Sequence, residues 1–594
     1  MMESVMGFED FPRGGADSGA QALLGTASWR FTAPPYRSGH IWLGRDGDGN
    51  AVGHDDDRHI VTVAGSRSGK GRSILIPNLL TWKGSVVVND PKGENATITA
   101  VLRSHIPGHA VVVIDPHGAA DVPLSLRAAF NPLDLIDADA DEAIDIAAAI
   151  GEAMMIDSGD GKDIHWTESA RQLVEAVMLH VAVTETGKAR SLVRVRRLLT
   201  MGDPDYAEML SAEEVARKGD KAQTIGPFDA LWQSMSSSLA TNEAVRDVIA
   251  GAANSIQDMG ENERGSVMST ARRNSKFIDS RWMRKCLEGG GQTALDIDAL
   301  KAAPHGLSVF ICMPARFIAT HARFLRLMFN LIFYRMESQG LAKPACGLPV
   351  LMLMDEVSAL GRFEVIDKAA GLMAGYGVKL WSVWQDLGQL KRHYRESWET
   401  FLGNAGILQC FANSDMTTLE WLSKRMGEVE LIRETAGTSK AVSTQSSKSQ
   451  GRTETAGWSR STGTSSGESE MPGLSQVSAR TGGSELVPFI ARTAASAIGE
   501  NNTRSMQDGQ SGGESIQSGD SASTGNTETE TVNQGIHKAA LMNPDEIARL
   551  FDRKTGRQIV FIDNAPVALM RTNWDTDDAF TQARASLQII RNKC

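Results

Sequence analysis

Cysteine is scarce in this chain, and the few cysteines are widely separated. Five cysteines occur in 594 residues, and none forms a C-x-x-C pair. A disulfide framework or a thiolate zinc site needs cysteines at close, regular spacing, so the pattern argues against both. It favours a reducing, cytoplasmic environment.

Long apolar runs are also missing. No run of about 18 or more apolar residues occurs, and no basic segment followed by an apolar one resembles a secretion signal. We therefore expect no membrane span in this chain. The polar leader of residues 1–40 carries acidic, glycine and proline residues instead.

Positive charge is in deficit, with 61 Lys and Arg against 72 Asp and Glu, a net charge of −11. A globally basic field that would attract nucleic acid is therefore absent, and contact with DNA needs a local basic surface. Two segments, 188–197 and 271–285, concentrate lysine and arginine on predicted helices. Either could follow a phosphate backbone, or both could be solvated helix faces.

Short apolar segments alternate with helical ones at both ends of the chain, which is typical of a parallel sheet covered on both faces. A long region of amphipathic helical pattern interrupts them. A later region is about half Ser, Thr and Gly, a composition that favours disorder. We predict six segments: a leader at 1–40, a nucleotide-binding domain at 41–136, 301–433 and 535–594, an all-α domain at 137–300 and a disordered insert at 434–534.

A glycine-rich turn between a predicted strand and a predicted helix carries the pattern of a phosphate-binding P-loop. The motif G-x-x-x-x-G-K-[ST] wraps a phosphate with backbone N–H groups, while its lysine reaches the phosphate oxygens and its hydroxyl binds Mg²⁺. Here Ala64 replaces the first glycine, and Gly71 replaces the hydroxyl residue. The predicted nucleotide-binding residues are Gly65, Ser66, Arg67, Ser68, Gly69, Lys70, Gly71 and Arg72. The alternative is a glycine-rich turn with a solvated lysine.

An acidic pair follows the apolar run at 350–354 and forms a Walker B pattern. Asp355 is the predicted Mg²⁺ ligand, and Glu356 would orient the water that attacks the γ-phosphate of ATP. Gln385 ends a later predicted strand and would sense the γ-phosphate. The predicted catalytic residues are thus Lys70, Glu356 and Gln385, although acidic residues and glutamine at strand ends also serve as plain helix caps.

Several further motifs occur in order along the chain, and together with the P-loop they resemble the type IV secretion coupling proteins, the TraG-like conjugative DNA transfer ATPases. These motifs are 76–82 (IPNLLTW), 90–94 (DPKGE), 131–134 (NPLD), 359–362 (ALGR), 374–377 (AGYG) and 385–390 (QDLGQL). The resemblance implies an α/β, RecA-like P-loop NTPase fold whose mostly parallel sheet is interrupted by an all-α domain. It also makes glycine at position 71 an accepted variant.

The resemblance further implies a hexamer that hydrolyses ATP with Mg²⁺ and moves single-stranded DNA, a relaxase or a secreted effector toward a secretion channel. Members of the family usually begin with a transmembrane hairpin, whereas this chain begins with the polar leader. Any attachment to the cytoplasmic face of the inner membrane would therefore need a partner subunit. Two alternatives stay open, namely a nucleotide-gated cargo receptor with little hydrolysis and a general DNA translocase unrelated to secretion.

Overall fold

The structure is a computed structural model. It describes residues 33–155, 164–218, 221–289, 293–447 and 521–591, together with three short strands at 22–23, 462–465 and 503–506. The strands are β1 Ala22–Leu23, β2 Ile41–Arg45, β3 Ala51–His54, β4 His59–Ala64, β5 Val86–Asn89, β6 Ala110–Ile114, β7 Ala128–Ala129, β8 Thr293–Ala294, β9 Leu307–Ile311, β10 Val350–Met354, β11 Val378–Trp384, β12 Ala405–Phe411, β13 Glu428–Ser447, β14 Thr462–Ser465, β15 Thr503–Met506, β16 Ser521–Ala540, β17 Arg557–Ile562 and β18 Ala565–Met570.

The helices alternate with the strands at both ends of the chain and dominate its middle. They are α1 Ile76–Thr81, α2 Glu94–Ser104, α3 Ala143–Met154, α4 Ile164–Thr184, α5 Leu192–Met201, α6 Pro204–Lys218, α7 Pro227–Ser236, α8 Glu243–Asp258, α9 Glu261–Asn274, α10 Arg281–Leu287, α11 Ala299–Ala302, α12 Ala315–Ser338, α13 Glu364–Leu372, α14 Leu387–Tyr394, α15 Trp398–Gly403, α16 Met416–Met426, α17 Pro544–Leu550 and α18 Thr581–Arg591. None of the helices within the described ranges is long and apolar enough to cross a bilayer.

An eleven-stranded sheet organises the larger of two compact units, which consists mainly of Phe31–Leu419 and Asp545–Cys594. Its strand order is β3-β2-β18-β17-β12-β4-β11-β10-β5-β9-β6. The seven strands from β12 to β6 run parallel to one another, and the four at the other side pair antiparallel. The predicted mostly parallel sheet, completed after the helical interruption, is confirmed.

The central strands are apolar because both faces of the sheet are covered. Every residue of β4, β10 and β11 is buried, and most of their side chains are apolar, with His59, Thr62, Lys379 and Ser382 as the polar exceptions. Such continuous runs are expected for interior parallel strands, which have no solvent face. The antiparallel hairpin of β2 with β3 and the strand β18 were not predicted, since glycine in β2 and β3 and proline in β18 interrupt the apolar pattern that indicates a strand.

The helical region between β7 and β9 contributes its own buried residues. In α8 the buried residues Val245, Ile249, Ala253 and Ile256 recur every three or four positions, as expected for a helix with one apolar face. Asn242 begins this helix by accepting hydrogen bonds from the N–H groups of Ala244 and Val245. Helices thus dominate those residues between 137 and 300 that the structure describes, with the two-residue strand β8 near the end of this range.

The smaller unit comprises Phe8–Arg30 and Glu420–Pro544. Strands β13 and β16 pair antiparallel in it along their whole length, and β1 pairs with β13. Most of the insert predicted to be disordered, between residues 448 and 520, lies outside the described residues, as does most of the predicted leader.

A fully buried arginine joins α2 to the end of α1. Arg103 is 1% exposed and donates to the carbonyls of Leu79 and Trp82 at 2.6 Å each and to Gly84 at 2.9 Å. Its Nε donates to Ser308 Oγ of β9 at 2.6 Å. Burial lowers the pKa of Arg103 to about 9, so the side chain stays charged at neutral pH. The guanidinium thus satisfies three carbonyls that the sheet has removed from water.

Replacing Arg103 by methionine should destabilise the larger unit by at least about 3 kcal/mol, because the buried carbonyls of Leu79, Trp82 and Gly84 lose their donor. Thermal unfolding followed by circular dichroism measures the effect. Arg281→Met, at an exposed position on α10, is the control and should change stability by less than about 0.5 kcal/mol. Equal midpoints for the two variants would contradict this role of Arg103.

Candidate nucleotide-binding site

The predicted phosphate loop lies between β4 and a helix, as its sequence indicates. A turn of π-helix, Gly71–Leu75, leads directly into α1. Arg67 and Gly69 have φ angles of 55° and 87°, so the loop makes two left-handed turns within three residues. Backbone N–H groups at the start of a helix have no partner within the helix and can bind an anion.

Gly65 is required because the loop leaves the sheet against a neighbouring strand. A Cβ placed on Gly65 would lie 2.1 Å from the carbonyl oxygen of Ala412, which follows β12. The N–H of Gly65 also donates to the carbonyl of Phe411, at 3.4 Å. The strand beside β4 thus fixes the point at which the loop begins.

Lys70 folds back over the loop. Its Nζ donates to the carbonyls of Ala64 at 2.9 Å and Gly65 at 3.3 Å. Burial lowers the pKa of the Lys70 amino group, while the charges of Asp355 and Glu356 oppose that shift. The ammonium of Lys70 therefore lies close enough to Asp355 and Glu356 to interact with their charges. A P-loop lysine needs this position, because it binds a phosphate that a metal ion also contacts.

The acidic pair follows β10, two strands away from β4. Glu356 has a φ of 56°, a left-handed conformation that is uncommon for a residue with a side chain. The carbonyl of Asp355 accepts a hydrogen bond from Asn89 Nδ2 at 2.6 Å. Burial and the neighbouring Glu356 raise the pKa of Asp355 to about 6. Such a carboxylate gains from a cation, because a positive charge removes the cost of keeping it ionised.

Gln385 follows β11, the strand between β4 and β10, and contacts the acidic pair directly. Its Nε2 donates to Glu356 Oε2 at 3.3 Å. Gln389 Nε2 donates in turn to Gln385 Oε1 at 3.4 Å. Asp386 caps α14 by accepting from the N–H of Gln389 at 2.7 Å, which fixes the first turn of the helix that carries this contact. The structure therefore brings Lys70, Asp355, Glu356 and Gln385 to one edge of the sheet.

Lys92 is a charged residue of the site that reasoning from spacing missed. It belongs to the DPKGE motif after β5, and its Nζ lies 3.5 Å from Glu356 Oε1. Asp90 of the same motif is 1% exposed and accepts from the N–H of Ala96 at 2.8 Å, which caps α2. Burial raises the pKa of Asp90 to about 7, and the charge of Asp355 contributes to the increase. The motif thus supplies a buried cap and a cation that faces Glu356.

The residues present are suited to a divalent cation. Asp355 offers a carboxylate that is costly to ionise alone, and Asn89 Oδ1 is buried without a hydrogen-bond partner among the described residues. Both are oxygen ligands of the kind that Mg²⁺ prefers. Position 71 offers no hydroxyl, and Ser73 Oγ donates to the carbonyl of Gly69 at 2.9 Å. The acidic side of the site, rather than the loop hydroxyl, is therefore where a metal ion fits.

The carboxyl-terminal strand places an arginine against the phosphate loop, which no motif had indicated. Arg571 follows β18 and donates through Nη1 to the carbonyl of Ser68 at 2.6 Å. Isolated arginines at strand ends carry no sequence signal, so only the tertiary structure identifies this contact.

Some arginines of the predicted basic surface form ion pairs within the helical region. Arg196 is 8% exposed and binds the carboxylate of Asp279 at 2.8 and 3.0 Å. Arg194 binds Glu185 at 2.7 Å and Asp203 at 3.0 Å. Alternate residues of the first arginine-rich segment therefore stabilise the fold, which explains part of its charge without nucleic acid.

In this chain a P-loop, a glutamine and an acidic pair follow three neighbouring parallel strands, β4, β11 and β10. This arrangement is that of a RecA-like P-loop protein. The sequence profile described as "Type IV secretory system Conjugative DNA transfer" matches residues 27–457. The chain belongs to this family, that of the type IV secretion coupling proteins.

Individual relatives agree with this assignment. The conjugal transfer protein TraG of Escherichia coli is 26% identical over 421 residues, which are 68% of this chain and 61% of TraG. Protein VirD4 of Rhizobium rhizogenes is 25% identical over 395 residues, 66% of this chain and 50% of VirD4. The chain thus matches about six tenths or less of the length of these two relatives.

A solved structure has the same fold. The bacterial conjugative coupling protein TrwBdeltaN70, in its unbound monoclinic form, aligns with a TM-score of 0.51 and 11% identity. The alignment covers 91% of this chain and 89% of that chain. The RecA-like fold with a helical interruption, expected from the motifs, is confirmed.

Gly65→Ala should displace the phosphate loop and lower the free energy of unfolding by about 1–3 kcal/mol, because its new methyl group would overlap the Ala412 carbonyl. Thermal and denaturant unfolding provide the measurement. Gly71→Ala is the matched control, since a Cβ at Gly71 meets no atom within 4 Å. Comparable losses in both variants would show that the contact with Ala412 is not the cause.

Asp90 should make stability fall as pH rises. Its raised pKa means that the folded state holds a proton that the unfolded state releases near pH 4, so stability is lost between about pH 4 and pH 7. Asp90→Asn should therefore reduce the difference in unfolding free energy between pH 5 and pH 8 by about 2–3 kcal/mol. Urea unfolding at the two pH values measures it, with the exposed Asp121→Asn as the control. An unchanged difference would contradict the assignment.

Proposed function

We propose that this protein is an ATP-driven coupling protein of type IV secretion. It would recruit a DNA–relaxase complex or a protein effector and move it toward the secretion channel. The observation that carries the proposal is the meeting of Lys70, Asp355, Glu356 and Gln385 at the ends of β4, β10 and β11. Family membership supports the role in conjugative transfer.

The proposed site residues divide the chemistry among themselves. The loop from Gly65 to Arg72 would bind the triphosphate through its N–H groups, and Lys70 would exchange its present carbonyl partners for phosphate oxygens. Asp355 would hold Mg²⁺, which when bound neutralises charge on the phosphates. Glu356 would orient the attacking water and accept its proton. Gln385, which is hydrogen-bonded to Glu356, would sense whether a γ-phosphate is bound.

The proposed working form is a homohexamer on single-stranded DNA, in contact with channel subunits at the cytoplasmic face of the inner membrane. These partners and the localisation follow from the family resemblance. The second arginine-rich segment, 271–285, is the better candidate for a local DNA contact, because exposed Arg273, Lys276 and Arg281 lie in it. Within the first segment, Arg194 and Arg196 already bind carboxylates.

A nucleotide-gated cargo receptor with little hydrolysis is the second candidate. It is favoured by one specific observation, the glycine at position 71 beside a Ser73 hydroxyl that is bound to the loop itself. Cargo transfer in cells by a Lys70→Ala variant would favour this receptor over the motor. A general DNA translocase is disfavoured by the family match.

ATP hydrolysis with and without single-stranded DNA tests the motor. Lys70→Ala should weaken ATP binding and abolish turnover, because the phosphates lose the ammonium that the P-loop lysine supplies. Glu356→Gln should keep ATP binding but lower the hydrolysis rate by about 100-fold or more, because the water loses its general base. Lys83→Ala, an exposed lysine beyond the end of α1, is the control and should behave as the wild type. Folded wild-type protein that hydrolyses no ATP under either condition would refute the motor.

A further inference from the structure

The carboxyl-terminal segment of residues 571–577 contacts the phosphate loop at Ser68 and Arg72. Arg571 reaches the carbonyl of Ser68. Two further contacts join the segment to the end of the loop, since Trp574 N–H donates to the Arg72 carbonyl at 3.1 Å and Arg72 Nε donates to Asp575 Oδ1 at 2.7 Å. A segment 503 residues away in the sequence therefore packs against the loop.

The guanidinium of Arg571 is held in one orientation. Besides Ser68, it donates through Nη2 to the carbonyl of Arg553 at 3.0 Å, and it lies over the ring of Phe411 at 4.4 Å from the centroid. Phe411 ends β12 and precedes Ala412, whose carbonyl fixes Gly65. A planar guanidinium fixed by a carbonyl and an aromatic face is a preorganised donor.

The direction of the Ser68 carbonyl determines the direction of the next N–H. In a trans peptide the C=O and the N–H lie in the peptide plane and point in opposite directions across the C–N bond, and the described residues contain no cis peptide bond. Because Arg571 binds the Ser68 carbonyl, the N–H of Gly69 points away from Arg571. Gly69 has a left-handed φ of 87°, a backbone conformation that glycine adopts at little cost and other residues do not.

We infer that Arg571 is a positioning residue for phosphate binding, which fixes the Ser68–Gly69 peptide so that the Gly69 N–H points at a phosphate of the bound nucleotide. The inference rests on the proposed nucleotide-binding function. Because Arg571 binds the backbone carbonyl of Ser68, its effect is on the orientation of this peptide. The buried Ser68 hydroxyl, which has no hydrogen-bond partner among the described residues, lies on the same peptide unit.

Competition binding on the full chain tests this role. Fluorescently labelled ATP reports the affinity, and unlabelled pyrophosphate and adenosine serve as separate competitors. Arg571→Met should weaken binding of ATP and of pyrophosphate by about 10-fold or more, because an N–H donor to phosphate loses its orientation. The adenosine affinity should stay unchanged. Arg571→Lys keeps one donor and should weaken both phosphate ligands by only about 3-fold.

Arg584→Met is the matched control. Arg584 donates to the carbonyls of Trp574 at 2.9 Å and Asp577 at 2.6 Å, so its loss loosens the same segment from the other side. It should lower thermal stability without changing pyrophosphate affinity.

Equal pyrophosphate affinities in the wild type and Arg571→Met would overturn the inference and leave the proposed function standing. Parallel losses for pyrophosphate and adenosine, or an equal loss in Arg584→Met, would assign Arg571 a merely structural role and also overturn it. A folded wild type that binds no ATP would instead remove the proposed function together with this inference. If Arg571→Met does not fold, Arg571→Lys provides the test. A pyrophosphate affinity weakened by about 3-fold with unchanged adenosine affinity supports the inference, and an unchanged pyrophosphate affinity overturns it.

Discussion

The parallel pairing of β4, β11 and β10 is the constraint on which the site depends. Parallel neighbours end at the same edge of a sheet, so the residues that follow these three strands must meet there. They are the phosphate loop, Gln385 and the pair Asp355–Glu356. Strand β5 adds Asp90 and Lys92 on one side, and β12 adds Ala412 on the other. Apart from Asp90 and Lys92, which share one motif, these groups come from separate parts of the chain.

The arrangement of these groups at one edge of the sheet buries several ionisable side chains. The raised pKa values of Asp90 and Asp355 and the lowered pKa of Lys70 have burial as their first cause. Two carboxylates and an ammonium held in this way are costly alone and gain when a triphosphate with a divalent cation supplies the complementary charges. The same fold buries Arg103 on the opposite end of the strands, where carbonyls and a hydroxyl rather than charges satisfy it.

Several family motifs have structural roles that their sequence did not distinguish from catalytic ones. Asn78 of IPNLLTW bonds both backbone groups of Trp42, at 2.7 and 2.9 Å, where β2 has a register break. Asn131 of NPLD holds Asp134 and the carbonyl of Arg190, each at 2.7 Å, at the start of the helical region. Asp386 of QDLGQL caps α14. These short polar side chains bond to backbone groups that have no backbone partner of their own. Only the tertiary structure shows which backbone groups these are.

The sequence by itself determined the strand–loop–helix unit around Lys70, the mainly apolar strands and the acidic pair after β10, because period and turn chemistry are local properties. It also determined the family, through the order of its motifs. Only the tertiary structure decided that β11 lies between β4 and β10, that Lys92 faces Glu356 and that Arg571 holds Ser68. Those contacts join residues far apart in the chain, and the pairing of strands that brings them together is set by packing of the whole sheet rather than by any local pattern.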